Sequence, residues 1–287
     1  MTKYIPKILV VFLLVAFSSY DAFSQLDDPL APKKDTKKFF IGPIAGYNRV
    51  MHSTDRSTFQ DGNIPCPKFE NGSANGFFVG GSIEFLLGSA KNSKASIIGR
   101  AMYSTLPSFF EVQGEDLPTV INVQQSDGSY KPEQRITSIN YLNDVSYNTL
   151  AFDVLVKYNV LPISDKLQLG VIAGPTVDLV MTSTEENRMT LVEPQNAQLV
   201  KQPQNVLDAK GWAYSADSRT LYFSKGDIPN SSSVRVGLKF GAQLEYNMEG
   251  LIIVPNVMYN FGLTNISSSI DWRVSALQVG VDVRFAI

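Results

Sequence analysis

Two side chains in the sequence carry the chemistry that a catalytic or metal-binding site would need. His52 is the one histidine and Cys66 is the one cysteine among 287 residues. A single cysteine excludes an internal disulfide and a cysteine-based metal cluster. Ser53 and Asp55 lie beside His52, but the members of a catalytic triad converge from distant parts of a chain. We therefore expect His52 to be a solvated loop residue, and we predict no catalytic residue, no metal site and no cofactor.

Cys66 lies between two prolines, Pro65 and Pro67, in a stretch that we expect to form an external loop. An unpaired thiol in an oxidising cell envelope can form a disulfide with a partner chain. The alternative, which we favour, is an inert thiol tucked under the loop.

The composition argues against a nucleic-acid-binding protein. The formal net charge is −2 and only 18% of the residues are charged, whereas a nucleic-acid surface needs a concentrated basic patch. The mean hydropathy is −0.02. A membrane β-barrel has a value near zero, because only every second residue of each strand faces lipid.

The N-terminal residues have the layout of a secretory signal peptide. Two lysines precede a ten-residue apolar run at 8–17, and small residues follow up to Ser24. The run is too short to span a bilayer as a helix, although an uncleaved membrane anchor is the alternative. We predict a signal peptide at 1–24, a periplasmic lead-in at 25–38 and the folded protein at 39–287.

Eight later segments alternate between apolar and polar residues with a period of two. In 234–246 the even positions are all apolar, and the odd positions hold charges, an amide and glycines. Successive side chains of a strand point to opposite faces, so each segment has one oily and one wet face. The eight segments are 39–48, 77–87, 97–104, 150–159, 167–179, 234–246, 251–261 and 277–285.

The polar faces distinguish a barrel from a soluble β-sandwich, which also alternates. They are rich in glycine and carry five acidic and five basic residues, as expected of a lumen in which each charge needs a partner. The predicted lumen charges are Glu84, Arg100, Asp153, Lys157, Asp178, Arg235, Lys239, Glu245, Asp282 and Arg284.

Aromatic residues on the apolar faces fall into two groups when alternate strands run up and down. Two such girdles are expected where rings lie at the two interfaces of a membrane. One predicted girdle is Phe39, Phe85, Tyr158, Tyr246 and Phe285, and the other is Tyr47, Phe77, Tyr103, Tyr259 and Phe261.

The connections alternate between short and long, which is typical of barrels with short periplasmic turns and longer external loops. We predict external loops near 49–75, 105–143, 183–231 and 264–270, which places both termini in the periplasm. Within these loops we expect two hairpins, one pairing 119–124 with 135–140 and the other pairing 219–223 with 189–192. The predicted fold is all-β, an eight-stranded antiparallel up-and-down transmembrane β-barrel; the alternatives are ten strands or a soluble β-sandwich.

Several segments resemble the outer-membrane β-barrel proteins of Bacteroidota, including the PorT-like barrel group. The likeness lies in Gly76-Phe77-Phe78-Val79-Gly80-Gly81, in Val156-Lys157-Tyr158-Asn159 and in Leu169-Gly170-Val171-Ile172-Ala173-Gly174-Pro175. Val281-Asp282-Val283-Arg284-Phe285 is similar to the signal that the barrel-assembly machinery reads, but here Ala286 and Ile287 follow the aromatic residue. The resemblance implies an outer-membrane location and, for a PorT-like barrel, a role as a secretion accessory.

An eight-stranded barrel has an interior that side chains can fill, so we expect a plugged lumen. The leading hypothesis is a structural or surface-interaction protein of the outer membrane that acts through its external loops. The expected partners are outer-membrane lipid, the barrel-assembly machinery and an envelope or extracellular protein, with no nucleic acid. The alternatives are a small pore or secretion accessory and, third, a lipid-modifying enzyme.

Overall fold

A computed structural model describes residues 37–57, 68–88, 93–114, 116–164, 166–223, 225–248 and 251–287. The predicted signal peptide, nearly all of the predicted lead-in and Cys66 lie outside these residues. The described chain is an all-β antiparallel structure with one short helix, so the all-β prediction is confirmed. The strands are β1 Phe39–Ser57, β2 Lys68–Leu87, β3 Ala95–Thr105, β4 Ser108–Gln113, β5 Leu117–Gln124, β6 Tyr130–Ser164, β7 Leu167–Glu193, β8 Ala197–Leu199, β9 Ala213–Tyr214, β10 Thr220–Tyr222, β11 Gly226–Asp227, β12 Val234–Met248, β13 Leu251–Gly262 and β14 Trp272–Ala286; the helix α1 is Gln204–Lys210.

Eight of the strands pair in a closed ring. Their order is β1, β2, β3, β6, β7, β12, β13 and β14, and β14 pairs in turn with β1. All eight pairings are antiparallel. Seven of them join ring strands that follow one another along the chain, and the eighth joins the first strand, β1, to the last, β14. The ring has no free edge, which matters because an unpaired edge exposes backbone donors and acceptors.

Both described ends of the chain lie at one end of the ring. The Ile287 amide donates to the Phe39 carbonyl at 3.0 Å, which ties the last described residue to the first strand. We call this the terminal end and the opposite one the distal end.

The two faces predicted from the period-two pattern are the inner and outer surfaces of the ring, with most polar residues inside and most apolar residues outside. Along β12, Arg235, Lys239 and Gln243 are buried, whereas the alternating Leu238 and Phe240 are exposed. A soluble protein buries its apolar face, and here the apolar face points outward over most of the ring. This arrangement does not fit the alternative of a soluble β-sandwich.

The strands extend well beyond the predicted boundaries at the distal end. β1 continues to Ser57, β2 begins at Lys68 and β7 continues to Glu193, so much of the sequence expected as loops is strand. The reason is that pairing continues beyond the apolar band: β6 and β7 stay paired from Ser138↔Glu193 to Ser164↔Leu167. On these distal stretches the outward residues are polar, so the apolar–polar alternation that predicted the strands ends before the strands do.

Both predicted pairings are present, but the first has a different register from the predicted one, because 117–124 pair with 130–137 rather than with 135–140. β5 pairs with the first residues of β6 through Gln124↔Tyr130, and Gly128 in the turn between them has φ 82°, a value that suits glycine. β10 pairs with β7 through Leu221↔Met189. Both β5 and β10 lie outside the ring, so the ring has eight strands rather than ten.

The short elements form a distal head above the ring. We define the head as residues 116–141 and 187–223, which include β5, β8, β9, β10 and α1. The helix ends at Gly211, whose φ of 65° is the left-handed conformation of a helix cap. No helix of the described residues is long and apolar enough to cross a membrane.

Candidate functional site: a filled lumen below a distal head

The ten predicted lumen charges all point into the ring. Each one lies at an inward position of a ring strand, and none is more than 7% exposed. They belong to six different strands, so the ring brings together residues that are far apart in sequence. By strand, Glu84 lies on β2, Arg100 on β3, Asp153 and Lys157 on β6, Asp178 on β7, Arg235, Lys239 and Glu245 on β12, and Asp282 and Arg284 on β14.

The densest part of this lumen network lies near the terminal end. Lys157 Nζ is 2.5 Å from carboxylate oxygens of both Glu84 and Glu245. Arg284 is 2.5 Å from Glu84 and 2.6 Å from Asp282. Two cations therefore share three carboxylates, which satisfies charges that would each be costly to bury alone.

Further ion pairs extend the network above this cluster, one of them through the shared Asp282. Lys239 Nζ lies 2.9 Å from Asp153, and Arg100 Nη2 lies 3.7 Å from Asp282. Further toward the distal end, Arg235 pairs with Asp178 and also donates to the Val274 carbonyl at 2.7 Å. These pairs join side chains of different strands at successive levels inside the ring.

A cluster of buried apolar residues, which we call the plug, lies in the distal part of the ring, and the sequence analysis did not predict it. Phe110, Tyr147 and Trp272 are each at most 1% exposed. Phe110 and Trp272 make an edge-to-face contact with ring centroids 5.8 Å apart. We define the plug as Val50, Phe69, Leu106, Phe110, Val145, Tyr147, Ile228, Ile266, Trp272, Val274 and Ala276.

His52 lies against this plug, and the prediction of a solvated loop residue is wrong. β1 continues through His52, whose even-numbered position points inward, and the side chain is only 1% exposed. Trp272 Nε1 donates to Nδ1 of His52 at 3.1 Å, so the hydrogen of the neutral ring is on Nε2. Nε2 then donates to the Leu106 carbonyl at 3.0 Å.

Burial lowers the pKa of His52 to about 3, and the positive charge of Arg235 adds to this effect. The hydrogen bond to the Leu106 carbonyl acts in the opposite direction but is the weaker influence. Burial likewise raises the pKa of the Tyr147 hydroxyl. Both groups are therefore neutral near pH 7, as expected inside an apolar plug.

The predicted aromatic girdles lie on the outside of the ring. Phe39 and Phe85 contact each other at the terminal end with centroids 4.7 Å apart. Nearer the distal end, Phe77 and Tyr103 contact each other at 6.2 Å. The other girdle residues, Tyr47, Tyr158, Tyr246, Tyr259, Phe261 and Phe285, also project outward at partly or fully exposed positions.

The distal head has a core of its own. The buried residues Ile121, Leu191, Leu199, Leu207 and Leu221 come from five different elements. This core shares no buried residue with the plug, and Tyr141 at the edge of the head packs against the plug.

Arg219 ties the segment before β10 to the end of β7. Its guanidinium donates to five backbone carbonyls at 2.6–3.1 Å, those of Leu191, Val192, Pro194, Gln195 and Ala197. A planar guanidinium group with five N–H donors is suited to donate hydrogen bonds to several backbone carbonyls at once. Arg219 therefore links the end of β7, the turn after it and β8 to the segment that leads into β10.

One face of the β5–β6 hairpin leaves apolar side chains uncovered. Ile136 is 71% exposed, Val120 is 54% exposed and Tyr130 is 42% exposed. The pairings Pro118↔Ile136, Val120↔Gln134 and Gln124↔Tyr130 place these side chains on a single face, because directly opposed residues share a face. The opposite face of β5 packs Ile121 into the head core.

The residues that sequence reasoning missed are those of the plug. Val50, His52 and Thr54 continue the alternation of inward and outward residues along β1. This alternation was the sequence pattern that could have placed His52 inside the ring. Within the described residues there is no cluster of three histidine, cysteine, aspartate or glutamate side chains that could hold a metal ion.

Comparison with solved structures finds outer-membrane β-barrel proteins of Gram-negative bacteria. Neisserial surface protein A is 12% identical, with 87% of this chain and 97% of that chain covered at a TM-score of 0.35. The outer membrane protein OprG of Pseudomonas aeruginosa is 13% identical, with coverage of 88% and 98% and a TM-score of 0.34. The outer membrane protease OmpT of Escherichia coli is 8% identical, with coverage of 91% and 99% and a TM-score of 0.32. No family model and no curated protein matches the chain.

Proposed function

We propose that the chain is an integral outer-membrane β-barrel with a plugged lumen, which acts through its distal head as a structural or surface-interaction protein. The observation that carries this proposal is the inverted ring, with apolar side chains outside and ion pairs inside. Outward residues such as Phe77, Val154 and Phe240 are 48–58% exposed. A soluble monomer rarely exposes so continuous an apolar band, whereas lipid covers it in a membrane.

The location has a direct test in two measurements. We expect the protein to sediment with the outer membrane and to shift in mobility on a gel when the sample is boiled. Recovery in the soluble fraction, with equal mobility before and after boiling, would contradict the proposal.

The proposal includes an orientation, because both described ends of the chain lie at the same end of the ring. We propose that the terminal end faces the periplasm, where β14 is presented to the barrel-assembly machinery, and that the head faces outside. A Ser126→Cys substitution in a Cys66→Ser background places one thiol in the exposed turn of the head. A membrane-impermeant maleimide should label this thiol on intact cells; labelling only after cell disruption would place the head inside.

For the head we propose binding to an envelope or extracellular protein through the apolar face of the β5–β6 hairpin. Exposed apolar side chains with a polar rim mark protein interaction sites. A protein captured from envelope extracts by the wild type should be lost with Val120→Asp/Ile136→Asp. It should be retained with the matched control Lys131→Asp/Ser126→Asp, which changes charge near the turn; equal capture by both variants would contradict this surface.

A small pore or secretion accessory, as the PorT-like resemblance implies, is the second candidate. The filled lumen and the plug support the accessory version over the conducting one. We expect folded protein to give no discrete conductance steps in a planar bilayer, and regular steps would reverse that preference.

We propose no enzymatic activity. Both ring nitrogens of His52 are engaged in hydrogen bonds, and its low pKa leaves it a poor proton acceptor near pH 7. If a lipid-modifying activity is found in the purified protein and disappears with His52→Gln, this part of the proposal fails.

A further inference from the structure

Two cavities on the outside of the ring lie one above the other along the same strands. The larger has a volume of about 580 Å³ and lies within the apolar band. The smaller, of about 220 Å³, lies closer to the distal end. Both are lined by residues of β1, β13 and β14, and we call the outward surface of these strands from one cavity to the other the track.

The larger cavity exists because small side chains interrupt the apolar band. Ala45, Ala242 and Pro255 line it, and they are surrounded by larger residues such as Leu244 and Val281. In the pairing, Ala45 lies opposite Val281, which in turn lies opposite Pro255. The result is an apolar groove between the two aromatic girdles.

The smaller cavity has a different chemistry. Its upper lining is polar, with Arg273 and Asn71, and its lower lining is Tyr259 and Phe261 of the distal girdle. Arg273 is the charged residue of this lining; its Nε lies 3.5 Å from Asp271, and the side chain stays 55% exposed. The guanidinium is therefore accessible just above the level of the girdle.

Leu277 lies between the two cavities on the outward face of β14. The outward residues of β14 run from Arg273 through Leu277 to Val281, with no aromatic side chain between them. Eight residues of strand span about 26 Å, or about 18–21 Å in depth at the usual tilt of barrel strands. One leaflet with its headgroup region is about 20–22 Å deep, so the track matches the length of a single lipid.

We infer that this track, which we call the lipid groove, binds one anionic lipid, with Arg273 on the headgroup and an acyl chain in the apolar cavity. The inference rests on the proposed membrane location and names a specific ligand class for the outer surface of the ring. The order of the chemistry along the groove, cation, then aromatic rings, then small apolar residues, matches the order of groups along such a lipid.

The test counts lipid molecules bound to the folded protein by native mass spectrometry in mild detergent. The two probes are dioleoylphosphatidylglycerol and dioleoylphosphatidylcholine, which have the same acyl chains and differ in headgroup charge. We expect one tightly bound phosphatidylglycerol, favoured about fivefold over phosphatidylcholine, because an arginine near an anionic headgroup contributes about 1 kcal/mol.

Matched variants separate the two parts of the groove. Arg273→Ser should reduce the preference to near unity, and the control Arg135→Ser in the head should leave it unchanged. Ala242→Leu fills the apolar cavity and should reduce binding of both lipids. Its control is Ala101→Leu, which enlarges an outward residue of β3 away from the groove.

Three results would overturn the inference. They are an unchanged preference in Arg273→Ser, an equal loss in Ala101→Leu and Ala242→Leu, or a dimer that dissociates on Ala242→Leu, which would assign the groove to a second copy. Flotation of the protein with vesicles and its shift on boiling keep the two proposals apart. A protein that does not float contradicts the membrane location, whereas one that floats but retains no single lipid contradicts the groove alone.

Discussion

His52 is buried as a neutral ring between Trp272 and the Leu106 carbonyl, and this has a consequence for stability at low pH. Its pKa is about 3 in the folded protein and about 6.5 when the ring is exposed. Below pH 6.5 the unfolded chain gains a proton that the folded protein does not accept. The free energy of unfolding should therefore fall by up to about 1.4 kcal/mol per pH unit as the pH decreases.

A His52→Gln variant should lack this contribution, because glutamine does not titrate. Urea unfolding of both proteins in detergent micelles, followed by tryptophan fluorescence at pH 7 and pH 5, measures the difference. The wild type should lose more stability than the variant over this interval. The same loss in both proteins would show that His52 is accessible to protons in the folded state.

Lys157 holds two buried carboxylates, those of Glu84 and Glu245. Lys157→Met should destabilise the ring by about 3–5 kcal/mol, because it leaves buried charge without its partner. The urea midpoint in lipid vesicles measures this effect, with Lys166→Met at an exposed position as the control. Adding Glu245→Gln to Lys157→Met should restore part of the loss, and an additive further loss would argue against the pairing.

The residue types of the lumen could be predicted from sequence, but their partners could not. Alternation placed Lys157 and Glu245 on the inward face of their strands, since the period of two follows from backbone geometry. Their contact depends on how strands that lie 88 residues apart in sequence meet across the ring. No local pattern encodes that distance.

At the level of strands and turns, Gly72 of β2 makes room for the plug. A Cβ atom at this position would lie 2.7 Å from the Phe110 ring and 2.4 Å from Ser108 Oγ. These contacts are too short, so Gly72→Ala should push Phe110 aside and cost about 1–3 kcal/mol. Both neighbours are side chains, which makes the clash one that a second substitution can relieve.

The check is a double-mutant cycle that combines Gly72→Ala with Phe110→Ala. The second substitution should cost less in the Gly72→Ala background than in the wild type, when stability is measured by urea unfolding. Additive losses would show that Gly72 and Phe110 do not compete for space.

The strand boundaries show where sequence patterns lose their meaning. The segments of β1 and β7 whose outward residues are apolar could be predicted from the sequence. Beyond the band, outward residues such as Ser53, Asp55 and Glu186 are polar while the inward ones are mixed, so the period-two contrast disappears. The extent of the distal pairing of β6 with β7 therefore could not be predicted, although the turn at 126–129 indicated the β5–β6 hairpin.

At the scale of the whole molecule, the head core and the plug share no buried residue. We therefore predict that the ring folds without the head. A variant in which short Gly-Ser linkers replace 117–136 and 188–225 removes the head core but leaves the plug and the lumen network. We expect this variant to insert into membranes and to shift on boiling like the wild type. The substitution Trp272→Ala, which damages the plug while leaving the head, should instead lower the temperature of that shift.

If the headless variant fails to assemble, the head contributes to folding of the ring and the two cores are coupled. If it assembles but no longer captures the partner of the wild type, the binding function lies in the head. Both outcomes are read from the same membrane preparation, so expression level does not confound them.

The pairing of β14 with β1 sets a timing constraint on biogenesis. β1 is made early, and the edge that faces β14 has no partner until β14, almost the whole described chain later, has also been made. During that interval the edge is a template for adding any other strand. Pairing with β14 is therefore the step that protects this edge and closes the ring.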